Sequence, residues 1–205
     1  MAIYIKRDEL LPHINSFCEL PIKMPIYQPA EDSYLLSETI KEYLKLIKDK
    51  NIKILDMGSG SGIQAQTCKD LGFKEVLCAD INPEAVEYLR KQWFKSIESD
   101  LFSNIKKSKE NKFGLIIFNP PYLPEDRYDK EKDTTGGKKG YETITKFLKQ
   151  AKSYLNKNGA ILLLFSSHSQ PEVIKKQAKN LGYKIKLLAN KKLFFEELFV
   201  YELSL

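Results

Sequence analysis

Residues 113–118 (FGLIIF) and 161–165 (ILLLF) are apolar at successive positions rather than at alternate ones. Side chains on a strand point to opposite faces in turn, so a run apolar throughout must be covered on both sides. Helices that connect parallel strands supply that cover. The rest of the chain alternates accordingly. From residue 31, Leu36, Ile40, Tyr43, Leu44 and Ile47 recur at helical spacing, with Asp32 or Ser33 placed to cap the first turn. A strand over 52–57, a helix over 63–71, a strand over 75–79 and a helix over 83–92 with Pro83 in its first turn follow, then a short edge strand over 94–97. After 113–118 come a long loop to about residue 139, a helix over 141–155, the strand 161–165, a helix over 171–181, and strands over 184–188 and 194–201. Residues 189–193 are too few for a helical crossover, so the last strand turns back antiparallel to its neighbour. The expected fold is α/β: a Rossmann-like, seven-stranded, mostly parallel sheet with helices on both faces and an antiparallel C-terminal strand.

A length of 205 residues suits one domain over 1–205, with residues 1–30, which carry Pro12, Pro21, Pro25 and Pro29, as an extended segment packed on it. The net charge of +6 permits a polyanionic partner without requiring one. Arginine occurs only as Arg7, Arg90 and Arg127, whereas recognition of phosphate and guanine favours its forked donors, so a nucleic-acid partner is the weaker expectation. Cys18, Cys68 and Cys78 form no CxxC pair, and with His13 and His168 they show no metal-ligand spacing. Free thiols, no metal and a reducing, cytoplasmic setting are expected. No apolar run approaches the roughly 18–20 residues that span a bilayer, and no signal core opens the chain, so no membrane association is expected.

Chemistry belongs just beyond the carboxyl ends of the buried strands. There the run Phe113–Phe118 passes into Asn119, Pro120, Pro121 and Tyr122. The second proline fixes its own φ and pushes the first out of the helical region, which makes the turn stiff. The Asn119 amide, the Pro120 carbonyl and the Tyr122 ring can then grip a planar NH2 group, with two acceptors for its hydrogens and a ring against its face. Taken alone, the turn could equally be a plain strand ending. Asp56, Gly58, Gly60 and Gly62 stand at the end of the first strand in a GxGxG spacing, unlike the GxGxxG that seats a pyrophosphate, so a cofactor without phosphates is the better fit. Asp80 ends the second strand, where an acidic residue accepts ribose hydroxyls, and Asp100 follows the third, where a carboxylate can accept from an adenine amine. Each could be a turn or cap residue. Together, at successive strand ends, they point to S-adenosylmethionine.

On residues 56–62, Asp80, residues 99–102, residues 119–122 and the segment YQPAEDSYLL over 27–36, the chain resembles the class I S-adenosylmethionine-dependent methyltransferases, and within them the HemK-type protein-glutamine N5-methyltransferases. The likeness runs from about residue 24 onward and includes Gly136, Gly137 and Gly140. Its length resembles the short branch of archaea and eukaryotes. The resemblance implies that the glycine loop, Asp80 and Ile81 hold the methionine and ribose parts of the cofactor and that Asp100 and Leu101 hold adenine. It further implies that Ser33 contacts the cofactor, that Asn119 lies between cofactor and substrate, that Asn119 and Pro120 orient the target amide, and that Tyr122 packs against it. The implied substrate is the glutamine of the Gly-Gly-Gln motif in a class 1 translation release factor. The implied partner is a small zinc-binding activator subunit on the sheet edge, for which residues 93–97 are the candidate, although Trp93 and Phe94 also suit a buried aromatic pair.

An amide nitrogen is a poor nucleophile and a sulfonium methyl is already activated, so such a site works chiefly by positioning. Residues 123–140 form a long loop placed to close over a peptide, and Tyr141 and Glu142 follow its Gly140 where relatives often have Arg and Glu. Three other readings stay open at this level: an adenine or cytosine N-methyltransferase acting on DNA or RNA, a protein-lysine methyltransferase, and a non-catalytic methyltransferase-like binding subunit.

Overall fold

The computed structural model describes residues 26–108, 112–123 and 137–205. Its elements are α1 (Glu31–Lys45), β1 (Ile54–Met57), α2 (Ile63–Asp70), β2 (Val76–Asp80), α3 (Pro83–Lys91), β3 (Lys95–Glu98), β4 (Phe113–Phe118), α4 (Glu142–Ala151), β5 (Leu155–Ser166), a 3-10 turn (Ser167–Ser169), α5 (Pro171–Asn180), β6 (Lys184–Lys192) and β7 (Glu197–Ser204). The strands form one seven-stranded sheet in the order β3-β2-β1-β4-β5-β7-β6. Strands β1 to β5 pair in parallel, and β7 runs antiparallel to both β5 and β6.

The continuous apolar runs are explained by two cores. On β4, Ile116 and Phe118 face one way, with Leu163 and Phe165 of β5, onto Ile144, Phe147 and Leu148 of α4 and Ile174 of α5. Leu115 and Ile117 face the other way, with Leu162 and Leu164, onto Leu36, Ile40 and Leu44 of α1, Ala65 of α2 and Leu89 of α3. Full burial of a side chain such as Phe147, Leu36 or Ile40 contributes about 1.5–3 kcal/mol each.

Several expectations shift. The N-cap position of α1 is Ala30 rather than Asp32 or Ser33, and it makes no side-chain cap; Asp32, in the first turn, is buried and accepts the Ser33 N–H at 2.6 Å on Oδ1. The helix expected over 141–155 ends at Ala151, and Leu155 opens β5, where it pairs with Phe113 before a bulge restores the register at Leu115 and Ala160. The Asn-Lys-Asn-Gly segment over 156–159 resembles a turn in sequence, yet it continues the strand. The hairpin expected at 189–193 lies later, because β6 runs to Lys192 and β7 begins at Glu197. Trp93 is not half of a buried pair: Phe94 is buried, whereas Trp93 is 90% exposed with φ of 63°. Cys68 and Cys78 are buried free thiols, and burial pushes both well above the usual thiol range. Among the described residues no helix is long and apolar enough to cross a membrane. Cys18, His13, most of the N-terminal segment and most of the 123–140 loop, Gly136 included, lie outside the described residues.

Candidate active site

Strand order reverses between β1 and β4, so the chain leaves those strands in opposite directions and opens a crevice above their carboxyl ends. A cavity of about 230 Å³ lies there. Of the residues expected at the site, Ser33, Gly58, Gly60, Asp80, Ile81, Asn119, Pro120 and Tyr122 line it. Asp56, Gly62, Asp100 and Leu101 do not. A larger groove of about 560 Å³ runs between α1 and the β6–β7 edge, but none of the strand-end residues reaches it.

The two lining glycines are held at positive φ, 61° for Gly58 and 50° for Gly60, which brings bare backbone to the cavity wall. A Cβ on Gly58 would stand 3.3 Å from the Phe118 ring. Gly62 acts differently. It caps α2 at φ of 82°, and a Cβ there would come within 2.6 Å of Leu89 Cδ2, so glycine is required where α2 meets α3. Asp80 is buried and organises the loop: Gly60 N–H donates to Oδ2 at 2.7 Å and Asn82 N–H donates to Oδ1 at 2.8 Å.

Asp56 supports the loop from beneath. It is buried, and Ala65 N–H in the first turn of α2 donates to its Oδ2 at 3.2 Å, standing in for the side-chain cap that Gly62 lacks. Burial pushes its carboxyl up to about 7; the Ala65 hydrogen bond opposes this shift, and the Asp80 charge adds to it. The folded value lies above the unfolded one, so the folded state favours the neutral acid. That stability is complete below about pH 4 and is lost as pH rises through about 7. Urea unfolding at pH 4 and pH 8 is therefore expected to show a drop several kcal/mol larger in wild type than in Asp56→Asn, and parallel pH profiles would contradict it.

At the other wall a buried hub replaces the expected helix cap. Asp32, 4% exposed, accepts from the Tyr27 hydroxyl at 3.1 and 3.2 Å, from Asn119 Nδ2 at 3.0 Å and from the Tyr122 hydroxyl at 3.4 Å. A carboxylate only accepts, so the Asn119 NH2 rather than its oxygen must face it, which fixes the orientation of the amide. The other end, Oδ1, is buried without a hydrogen-bond partner. Burial, reinforced by the Asp32 charge, pushes the Tyr27 and Tyr122 phenols far up, so both stay protonated donors near neutral pH. The turn itself is anchored where the Ser169 hydroxyl donates to the Tyr122 carbonyl at 2.9 Å.

Gln64 offers a second orphaned acceptor in the cavity. Its Nε2 donates to the Ser33 carbonyl at 2.9 Å, and its buried Oε1 has no partner. Among the described residues the cavity lining includes Asp32 and Asp80 but no lysine or arginine, which repels phosphate and suits a cationic, hydroxyl-bearing ligand. S-adenosylmethionine fits that description. Asp100 stands beyond this wall, half exposed, paired with Lys146 Nζ at 2.8 Å, and Leu101 beside it has φ of 52°. An exposed pair of this kind contributes little and yields readily to another donor.

Residues 32–194 match the family described as MTS, Methyltransferase small domain. The chain is 34% identical over 194 residues to "Putative protein N5-glutamine methyltransferase MJ0928" of Methanocaldococcus jannaschii, covering 89% of this chain and 93% of that protein. It is 30% identical over 170 residues to "Methyltransferase HEMK2" of Mus musculus, covering 77% and 79% of the two. Among solved structures, the E. cuniculi Mtq2-Trm112 complex, described as responsible for methylation of the eRF1 translation termination factor, superposes with a TM-score of 0.71 at 22% identity. That match covers 87% of this chain and 97% of that one. The glycine loop, the Asp80 strand end and the Asn-Pro-Pro-Tyr turn thus stand in a protein that belongs to the methyltransferase small domain family, in its short HemK-type branch of protein N5-glutamine methyltransferases.

Proposed function

We propose that the protein binds S-adenosylmethionine and methylates the side-chain nitrogen of the glutamine in the Gly-Gly-Gln motif of a class 1 translation release factor. The observation that carries this reading is Asn119 Oδ1, buried without a hydrogen-bond partner on a residue that lines the cavity and is held in one orientation by Asp32. A primary amide would supply the missing N–H, and the Pro120 carbonyl, on the same turn, would take the second. Both acceptors strengthen as positive charge develops on the nitrogen, which is the differential stabilisation that raises rate.

The bound cofactor supplies the activated methyl group. Its ribose hydroxyls suit Asp80, its amino-acid end suits the glycine loop with Ser33 and Gln64, and its adenine suits the turn at Ile81, Asp100 and Leu101. Asp32 is already engaged by donors from Tyr27, Ser33, Asn119 and Tyr122, so it gives an ammonium group no advantage over an amide. The acidic groups Asp32 and Asp80 in the described cavity lining would repel phosphates, which disfavours a nucleic-acid acceptor.

A small activator subunit fits the β3 edge. This strand is outermost in the sheet, and the exposed Trp93 precedes it, adding an aromatic anchor beside unpaired backbone groups. The name of the Mtq2-Trm112 complex supports a heterodimer of this kind. A cytoplasmic setting accords with a translation substrate.

The test is mass-spectrometric mapping of a release factor after incubation with labelled cofactor. One added methyl on the motif glutamine is expected, with no labelling when that glutamine is alanine. Labelling of a different residue, or equal labelling of the alanine variant, overturns the assignment.

A further inference from the structure

The turn between β6 and β7 is linked to the Asn119 to Tyr122 turn through the 3-10 turn Ser167–Ser169. It is closed by Leu193 N–H donating to the Glu196 carbonyl at 2.8 Å. Three hydrogen bonds tie it to the candidate site. Glu197 N–H donates to Ser167 Oγ at 3.1 Å, His168 Nε2–H donates to the Phe195 carbonyl at 3.0 Å, and Ser169 of the same 3-10 turn holds the Tyr122 carbonyl. Two features of this turn lack a partner elsewhere among the described residues. Phe194 and Phe195, packed edge to face with centroids 4.6 Å apart, are 91% and 82% exposed. Glu196 is half-buried, and its Oε2 is shielded from water with no hydrogen-bond partner.

Withdrawing a carboxylate oxygen from water without a partner is costly, and adjacent exposed phenylalanines also oppose solubility. A ligand that brings an N–H and an apolar surface relieves both costs. We propose that the β6–β7 turn is the outer wall of the acceptor site: Glu196 Oε2 accepts an N–H from the acceptor segment beside its target amide, and Phe194 and Phe195 pack under the flanking residues. The inference rests on the amide-methyltransferase reading above. A polypeptide is the occupant because it carries N–H donors and apolar side chains together, whereas the phosphates of a nucleic acid would be repelled by Glu196. The negative charge of Glu196 also contributes to the raised phenols of Tyr27 and Tyr122, which accords with its place beside them.

The test is steady-state kinetics with a release-factor acceptor at saturating cofactor, for wild type, Glu196→Ala, Glu196→Gln and the double variant Phe194→Ser/Phe195→Ser, together with cofactor calorimetry and thermal unfolding. Loss of one charge-assisted hydrogen bond is expected to raise the acceptor KM about tenfold in Glu196→Ala and less in Glu196→Gln, which keeps an acceptor oxygen. The double phenylalanine variant is also expected to raise KM. Cofactor affinity is expected to hold in all three. A merely structural residue would lower Tm when removed, but Oε2 has no partner to lose, so Tm in the Glu196 variants is expected to hold or rise. Wild-type glutamine methylation with an acceptor KM within about twofold in both Glu196 variants overturns this inference alone. Failure of wild type to modify glutamine overturns the reading of the site, and this inference with it.

Discussion

Asn119→Ala is expected to lower kcat for methyl transfer by about 10²- to 10³-fold, the range found when one preorganised hydrogen-bond acceptor or donor is removed from a reacting group. The orientation of Asn119 is fixed by donation to Asp32 at 3.0 Å, so the substrate meets Oδ1 without reorganisation. Asn119→Asp makes the sharper comparison. It retains an oxygen where Oδ1 stands, but it sets a second carboxylate against Asp32 where an N–H donor had been. Repulsion would turn the side chain or protonate one of the pair, so this variant is expected to be nearly as inactive as alanine. Single-turnover assays with cofactor and acceptor both saturating measure the step directly. Near wild-type turnover in Asn119→Asp would show that charge matters more here than the direction of the amide, and would displace the clamp argument.

Asp80→Ala is expected to weaken binding of S-adenosylmethionine by about two orders of magnitude in calorimetry. Two losses combine. The ribose loses a charged acceptor, and the loop loses the contacts that hold Gly60 N–H at 2.7 Å and Asn82 N–H at 2.8 Å. Hydrogen bonds to a charged group contribute about 1.5–3 kcal/mol each, and a hundredfold change corresponds to about 2.8 kcal/mol, so loss of one or two accounts for the change. Asp80→Asn keeps one acceptor and is expected to fall between alanine and wild type. Equal affinity in all three proteins would remove Asp80 from the cofactor site.

The parts of the fold that were legible in the sequence are those set by local pattern. The buried strand Phe113–Phe118, the glycine turn and Asp80 at its strand end follow from apolar runs and punctuation. The acidic hub was not legible. Asp32 lies 87 residues from Asn119 and 90 from Tyr122, and an acidic residue at a helix start has a sufficient local explanation in the helix dipole. A signal for it existed in the spacing of Tyr27 and Asp32, but only the fold brings the asparagine to them. Leu155 falls at the end of the helix expected over 141–155, whereas pairing with Phe113 makes it the start of a strand that continues through Asn-Lys-Asn-Gly. Trp93 misleads for another reason: its size argues for burial, yet its left-handed backbone between α3 and β3 turns it outward. Glu196 could not be found from sequence because an unpartnered buried oxygen is defined only by its surroundings.

The order of the strands in the sheet also governs synthesis. Although β7 is the last strand in the chain, it sits between β5 and β6, pairing with Leu162 and Phe165 on one side and Lys186 and Asn190 on the other. Until residues 197–204 have been added to the nascent polypeptide, the apolar strand β5 keeps an open edge, and β6 has no neighbour to pair with. Pairing of both neighbours thus waits on residues 197–204, and a chain interrupted before them exposes an apolar edge prone to aggregate.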